Sequence, residues 1–293
     1  MLLHWFKSFF IDELRVFIHP QRIVLLRLTR TLKYGFKQQL IHELVIDLPS
    51  EERTADELMQ LMVEALKSAL VKPEWLGAMP VIIVSNHFTF YSVIPWNSSL
   101  TGELERQAYL KHYFNLSFGE ASKSWDFRMS EPGYGKATLS SAISSSLLIA
   151  LHQVFEQANT KIVAVYPHLM LAVNQTLNQI KMDKQHSAQT ENFWLVAIQN
   201  GRLCLALMEN NGWQLIKNVA IETDITEQLT ALIQRQTVVY SVEYIAPVLL
   251  YWPESQSAQS LKLESYEVVK VSPHQFDLQN HPLSISLPAW ALI

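Results

Sequence analysis

Apolar residues fall into two periods along the chain, one of strand type and one of helix type. Residues 22–30 (RIVLLRLTR) and 193–208 (FWLVAIQNGRLCLALM) are near-continuous apolar runs, the pattern of strands buried on both faces of an α/β sheet. Leu2, Phe6, Phe9, Phe10, Leu14 and Phe17 share one helical stripe. They predict an amphipathic helix over 1–17 that caps the core, or else lies in a partner groove or on a membrane surface. His19-Pro20 ends it. Strands are predicted at 22–30 and 38–48 around a turn at Gly35. Thr54 with Glu57 three residues on forms a capping box opening a helix to Leu70. Pro80–Val84 is a buried strand, and Phe88–Trp96 continues it after a bend as a hairpin arm. A helix at 99–115, a loop at 119–124, a strand at 125–129, a turn at 131–135 and a strand at 136–143 follow. Helix 144–157, strand 161–166 and helix 168–180 complete the first half.

Residues 181–191 (MDKQHSAQTEN) are polar and unpatterned, the composition of a boundary between lobes. Beyond them, Asn200-Gly201 and Asn211-Gly212 punctuate three strands at 193–199, 202–208 and 213–221. Asn-Gly between apolar runs is a strong hairpin signal. Thr223 or Asp224 caps a helix to Arg235. Strands near 237–244, 247–252 and 266–271 and an apolar tail at 283–293 close the chain. The division expected is an N-terminal segment 1–18, a first lobe 19–185 and a second lobe 186–293.

Composition narrows the classes. Of 293 residues, 49% are hydrophobic and 17% charged, enough apolar material for a large core and too little charge for a disordered chain. A net charge of −4 and the absence of any Lys/Arg run argue against a nucleic-acid binder. The single cysteine, Cys204, excludes an internal disulfide and a Cys-rich zinc site. Eight glycines are few for a protein built on phosphate loops. No run of some 18 apolar residues suggests a spanning helix. Asp12, Glu13 and Arg15 interrupt the N-terminal apolar run, which therefore does not read as a signal peptide.

Candidate chemistry is sparse. Ser85-Asn86-His87 ends a buried strand, a common place for reactive groups in α/β folds. A His-dependent acyltransferase motif needs an acid a few residues on, and 88–96 (FTFYSVIPW) has none. Gly133-Tyr134-Gly135-Lys136 sets a lysine beside glycines, but Ala137 stands where a phosphate loop needs Ser or Thr. The ten histidines form no i, i+4 pair beside an acid. Cys204 reads as buried filler, and Asp126 with Arg128 as a surface pair. Trp96, Trp125, Trp194, Trp213, Trp252 and Trp290 are expected to anchor the core or line a peptide groove.

The order strand–strand–helix–strand–helix, then a lobe opening on a three-strand meander, resembles the actin-like fold. The runs Pro20–Arg27, Val81–Trp96, 119–151 and Phe193–Val219 carry a narrower resemblance, over most of 20–240. They resemble the actin-like assembly proteins of type IV pili (PilM and its relatives) and the cytoplasmic domain of type II secretion GspL. That resemblance implies an α/β, two-lobed actin-like (ribonuclease H-like) fold with mixed five-stranded sheets flanked by helices. It implies a cytoplasmic platform peripheral to the inner membrane. Such a platform binds the cytoplasmic peptide of a bitopic, PilN-like partner through a groove, with an assembly ATPase and a second copy as further partners. PilM-like proteins bind ATP, and in this fold each opening strand pair ends in an Asp-Gly turn that holds phosphates and metal. Here the corresponding positions read Arg27-Leu28 and Gln199-Asn200-Gly201. No catalytic, cofactor or metal residue is assigned, and no cofactor is expected. The expected function is a non-catalytic scaffold. The alternatives are a nucleotide-binding ATPase or kinase with a diverged site, and an acyltransferase acting through His87.

Overall fold

Thirteen strands and five α-helices are seen in the computed structural model, which describes residues 12–31, 37–49, 51, 53–100, 102–130, 135–182, 191–242, 244–253 and 261–271. Two five-stranded mixed sheets dominate. The first has the order β3-β2-β1-β4-β8, from β1 (Glu13–His19), β2 (Arg22–Thr31), β3 (Lys37–Asp47), β4 (Met79–Val84) and β8 (Ala164–Pro167). The second repeats that order as β11-β10-β9-β12-β13, from β9 (Phe193–Gln199), β10 (Arg202–Glu209), β11 (Gly212–Ala220), β12 (Val248–Tyr251) and β13 (Val268–Lys270). In both, the meander strands pair antiparallel and the crossover strands pair parallel. A third sheet, β5-β7-β6, comprises β5 (Thr89–Ile94), β6 (Trp125–Met129) and β7 (Thr138–Ser144).

The chain folds into two compact units that interleave along the sequence. One takes Met1–Phe88, Ser144–His168 and His274–Ile293, so that its described part holds the first sheet. Helices α1 (Ala55–Leu70) and α3 (Ser145–Gln157) belong to it and pack on each other. Helix α1 begins at the expected capping box: Thr54 Oγ1 accepts from Glu57 N–H at 3.3 Å, and Glu57 Oε2 accepts from Thr54 N–H at 2.9 Å. The other unit takes Thr89–Ile143 and Leu169–Pro273. It holds the second sheet, the small sheet, α2 (Glu103–Phe118), nearly all of α4 (His168–Met182) and α5 (Ile225–Val239). Trp194, Val196, Leu205, Leu207, Leu229 and Ile233 centre its main core. A second, aromatic core joins α2 to the small sheet: Phe90 stacks on Trp125 at 3.8 Å, and Phe114 tilts against Phe127 at 5.1 Å.

Four sequence expectations are corrected. The helix over 1–17 gives way to strand β1 from Glu13 onward, while 1–11 lie outside the described residues. Leu14 and Phe17 fit the helical stripe, while Leu14, Val16 and Ile18 fit an alternating strand. The strand wins because β1 is central, flanked by β2 and β4, and both faces of its second half are buried. The strand near 237–244 is instead the end of α5 and a turn, with Ser241 at φ 52°. The β-branched pair there misleads, because Val238 and Val239 are 80% and 63% exposed at a helix end. The hairpin arm of β4 and β5 does not form: the two strands lie in different sheets, parted by a turn closed by Phe88 N–H donating to Ser85 O at 3.0 Å. Strand 161–166 is shortened at its start and runs Ala164–Pro167. The turns expected at Gly35 and over 131–134, and the tail 283–293, fall outside the described residues.

Candidate functional site

Strand ends are where an α/β sheet offers groups to a ligand. In the first unit the ends of β1, β4 and β8 bring together His19, Ser85, Asn86, His87 and His168. Antiparallel β1 and β2 are joined by the tight turn Pro20-Gln21, with His19 paired to Arg22. His19 is buried, and its Nδ1 accepts the Gln21 backbone N–H at 3.2 Å. Neutral His19 therefore carries its proton on Nε2. One strand over, Ser85 N–H donates to Ile18 O at 2.9 Å and locks the end of β4 to β1. Ser85 Oγ lies 2.8 Å from His87 Nδ1 and accepts the His87 backbone N–H at 3.2 Å. The rings of His19 and His87 meet edge to face, 4.8 Å apart at 78°. His168, the first residue of α4, is 1% exposed. Burial, aided by nearby His19, pulls its pKa down to about 4.

A Ser–His contact of this length invites a nucleophile–base reading. Burial argues against it: Ser85 is 2% exposed, and its hydroxyl is engaged by both the ring and the backbone of His87. The pair locks a turn, in the manner of local side chain–backbone bonds.

In the second unit the matching turn joins β9 to β10. Gln199 is buried, Asn200 is exposed, and Gly201 sits at φ 77°, a left-handed conformation that favours glycine. This is where the sequence places it. The first turn is not at Arg27-Leu28. With β1 unrecognised, the second strand stood in for the first, and the count of turns slipped by one strand. Arg27 lies within β2, at a register shift against β3. Its guanidinium pairs with Asp12 at 2.7 Å and donates to the carbonyls of Glu74 at 2.6 Å and Leu76 at 3.3 Å. It ties the sheet to the turn before β4. Replacing Arg27 with Met is expected to cost about 2 kcal/mol, since charged hydrogen bonds in a half-buried setting are lost together. Denaturant midpoints of R27M, D12N and the double variant would show coupling, and strict additivity would refute the clamp.

The remaining candidates divide plainly. Lys136 donates to Asn211 O at 3.3 Å, so its charge serves a backbone carbonyl; Gly133 and Tyr134 lie outside the described residues. Asp126 and Arg128 form the expected surface pair at 2.7 Å. Cys204 is fully buried in β10, and burial raises its thiol pKa well above the usual range. Tyr91 and Tyr251 are raised in the same way. Trp194 is core, Trp125 is half-buried in the aromatic cluster, and Trp96 is exposed. Among the described residues no group of three or more His, Cys, Asp or Glu is arranged to hold a metal. The sequence reading passed over His19 and His168. Their signals were present in His19-Pro20 and Pro167-His168, each at the C-terminal end of a strand.

No protein-family model and no curated protein matches the chain. Solved structures do. A PilM–PilN type IV pilus biogenesis complex aligns over 90% of this chain and 89% of that one, with TM-score 0.62 at 12% identity. A Bacteroides thetaiotaomicron protein with an actin-like ATPase fold and unknown function aligns over 94% and 96%, with TM-score 0.59 at 10% identity. The cytoplasmic domain of EpsL, an inner-membrane component of the Vibrio cholerae type II secretion system, aligns over 88% of each, with TM-score 0.54 at 11% identity. The class is thereby defined: the chain has the actin-like fold. Within that class it is similar to PilM and to the EpsL cytoplasmic domain. No helix of the described residues is long and apolar enough to cross a membrane.

Proposed function

We propose that this protein is a non-catalytic, actin-like scaffold of a type IV pilus or type II secretion-like assembly. In this reading it sits in the cytoplasm at the inner membrane and binds the cytoplasmic peptide of a bitopic, PilN-like partner. Its lobes in this reading are 19–185 and 186–293, with strand β1 (Glu13–His19) of the first sheet reaching back into the N-terminal segment. One observation carries the non-catalytic part. The two strand-end turns present His19-Pro20-Gln21 and Gln199-Asn200-Gly201. Imidazole and amide groups stand where a magnesium–triphosphate calls for hard carboxylate oxygens. The assembly part is supported by the fold shared with PilM and the EpsL cytoplasmic domain.

The second reading, a nucleotide-binding ATPase, is favoured by the structure with an actin-like ATPase fold. Thermal unfolding with and without Mg-ATP separates the two. A ligand at about 100 times its dissociation constant adds roughly 2.7 kcal/mol. The scaffold reading expects no shift, and a reproducible rise in Tm would overturn its non-catalytic half. Its assembly half is tested by affinity capture from detergent-solubilised membranes of the source organism. Recovery of a pilus or secretion subunit is expected, and repeated captures without one would remove that half.

A further inference from the structure

Strands β1, β4 and β8 of the first unit run parallel, so all three start at one end of the sheet, opposite the end that holds the histidines. At that start Met79 N–H donates to Asp12 O at 2.8 Å, and Val163 N–H donates to Pro80 O at 2.9 Å. Helices α1 and α3 finish at the same end, because a short connection leads from each into a strand that begins there. Apolar side chains gather in these connections and face water. Val71, at the C-cap of α1, is 81% exposed, Leu76 before β4 is 55% exposed, and Val163 before β8 is 60% exposed. Arg27 donates to the Leu76 carbonyl, which ties this backbone to the sheet.

Single exposed apolar residues are ordinary. Two further observations set this end apart. First, the chain enters β1 here, and the residues before Asp12 read MLLHWFKSFFI, with Leu2, Leu3, Trp5, Phe6, Phe9 and Phe10 among eleven positions. Second, basic residues are interleaved with the apolar ones. Lys72 follows Val71, and Lys161 lies two residues before Val163; both are exposed. The β2–β3 hairpin runs three pairs past the start of β1 and places Arg30 and Lys37 at this end, and Lys7 lies in the leading segment. The exposed acids in the same connections are Glu74 and, in the last turn of α3, Glu156, while Asp12 is paired with Arg27.

We infer that this end of the first unit rests on an anionic lipid surface, with residues 1–11 and the side chains of Val71, Leu76 and Val163 entering the headgroup layer. Aliphatic and aromatic groups gain by leaving water for the acyl boundary, and ammonium groups beside them meet lipid phosphates. Lysine is depleted at the core of protein–protein interfaces but favoured at anionic bilayers, so the mixture points to lipid over a protein groove. A short apolar segment alone binds a bilayer only marginally, and basic residues beside it supply the second signal. This inference goes beyond the scaffold reading, in which the membrane is reached through a protein partner, and does not depend on it.

Flotation of the full chain with protein-free vesicles tests it. The chain is expected to float with an equal mixture of phosphatidylcholine and phosphatidylglycerol, several-fold more than with phosphatidylcholine alone. High salt should bring the two levels together. Changing Val71, Leu76 and Val163 together to serine should lower flotation several-fold at an unchanged Tm, since exposed positions tolerate the change. Serine at Val238 and Ile245, which are as exposed but belong to the other unit, should leave it unchanged. Bromine-labelled lipid should quench part of the tryptophan fluorescence, and Trp5→Phe should remove most of that quenching. Absence of flotation would overturn the inference, and so would equal flotation on both kinds of vesicle. Undiminished flotation of the Val71, Leu76 and Val163 variant would overturn the assignment of this end. Undiminished quenching in Trp5→Phe would overturn the role of residues 1–11. The vesicles carry no protein, so none of these results touches the binding of a partner peptide.

Discussion

Truncating Trp194 to alanine is expected to lower the stability of its unit by about 4 kcal/mol, the middle of the range for a buried tryptophan. The side chain is among the largest that are fully buried in the protein. It sits in β9, the middle strand of the second sheet, opposite Leu207 on β10 and Val248 on β12. Leu229 and Ile233 of α5 belong to the same core. Three elements therefore lose contacts at once, and a central strand cannot shift to fill the gap without breaking its ladders. The measurement is a urea titration followed by circular dichroism and by the fluorescence of the remaining tryptophans. Two compact units can unfold in separate steps, so the transitions are fitted individually. The W194A shift should fall on one transition as a lower midpoint at nearly constant slope. Trp75 is buried in the other unit and would report the unaffected step. A loss below about 2 kcal/mol would mean that β9 is not the centre of a packed core.

That core was legible in the sequence because its signals agree. FWLVAIQ is a continuous apolar run, Asn200-Gly201 fixes the turn, and RLCLALM returns in register. Helix α1 was equally plain, since capping box and apolar stripe point the same way. Trouble arose where one residue set serves two periods. Leu14, Phe17 and the apolar residues before them line up at helical spacing, yet β1 is a strand because two neighbouring strands bury it. Local pattern carries no record of neighbours that lie far along the chain: β4, which flanks β1, begins 66 residues after it. The one missing strand displaced the first turn to Arg27-Leu28, so a correct idea about the fold was applied to the wrong residues. The candidate site was half legible. Ser85-Asn86-His87 was found because it interrupts an apolar strand. His19 and His168 were passed over because each looked like the punctuation of a neighbouring proline, and only the sheet order brings the three strand ends side by side.

Acid should weaken this protein through His168. The imidazole is buried at the first position of α4, where the helix dipole adds a positive end, and His19 lies near. All three disfavour a second positive charge, and burial is the largest cause. In the folded state the group titrates at about 4, against an ordinary value of 6.5 in an unfolded chain. Between those values the unfolded chain binds a proton that the folded one refuses. Stability therefore rises with pH across this window. The contribution of neutral His168 is complete above pH 6.5 and is lost as pH falls toward 4. At about 1.4 kcal/mol per pH unit, lowering the pH from near 7.5 to about 4.5 should remove roughly 2.5 kcal/mol. Surface carboxylates such as Glu57, held low by its bonds to Thr54, also weaken in acid, so the wild-type curve alone does not isolate the histidine. His168→Gln keeps a polar side chain of similar reach but cannot accept the proton. It should be less stable than wild type near neutrality, because a well-packed ring is gone. Its loss on acidification should be smaller by most of that 2.5 kcal/mol. Parallel curves for the two proteins, offset but with the same slope between pH 6.5 and about 4.5, would show that His168 is accessible to protons in the folded state and that the strand ends around it are open to water.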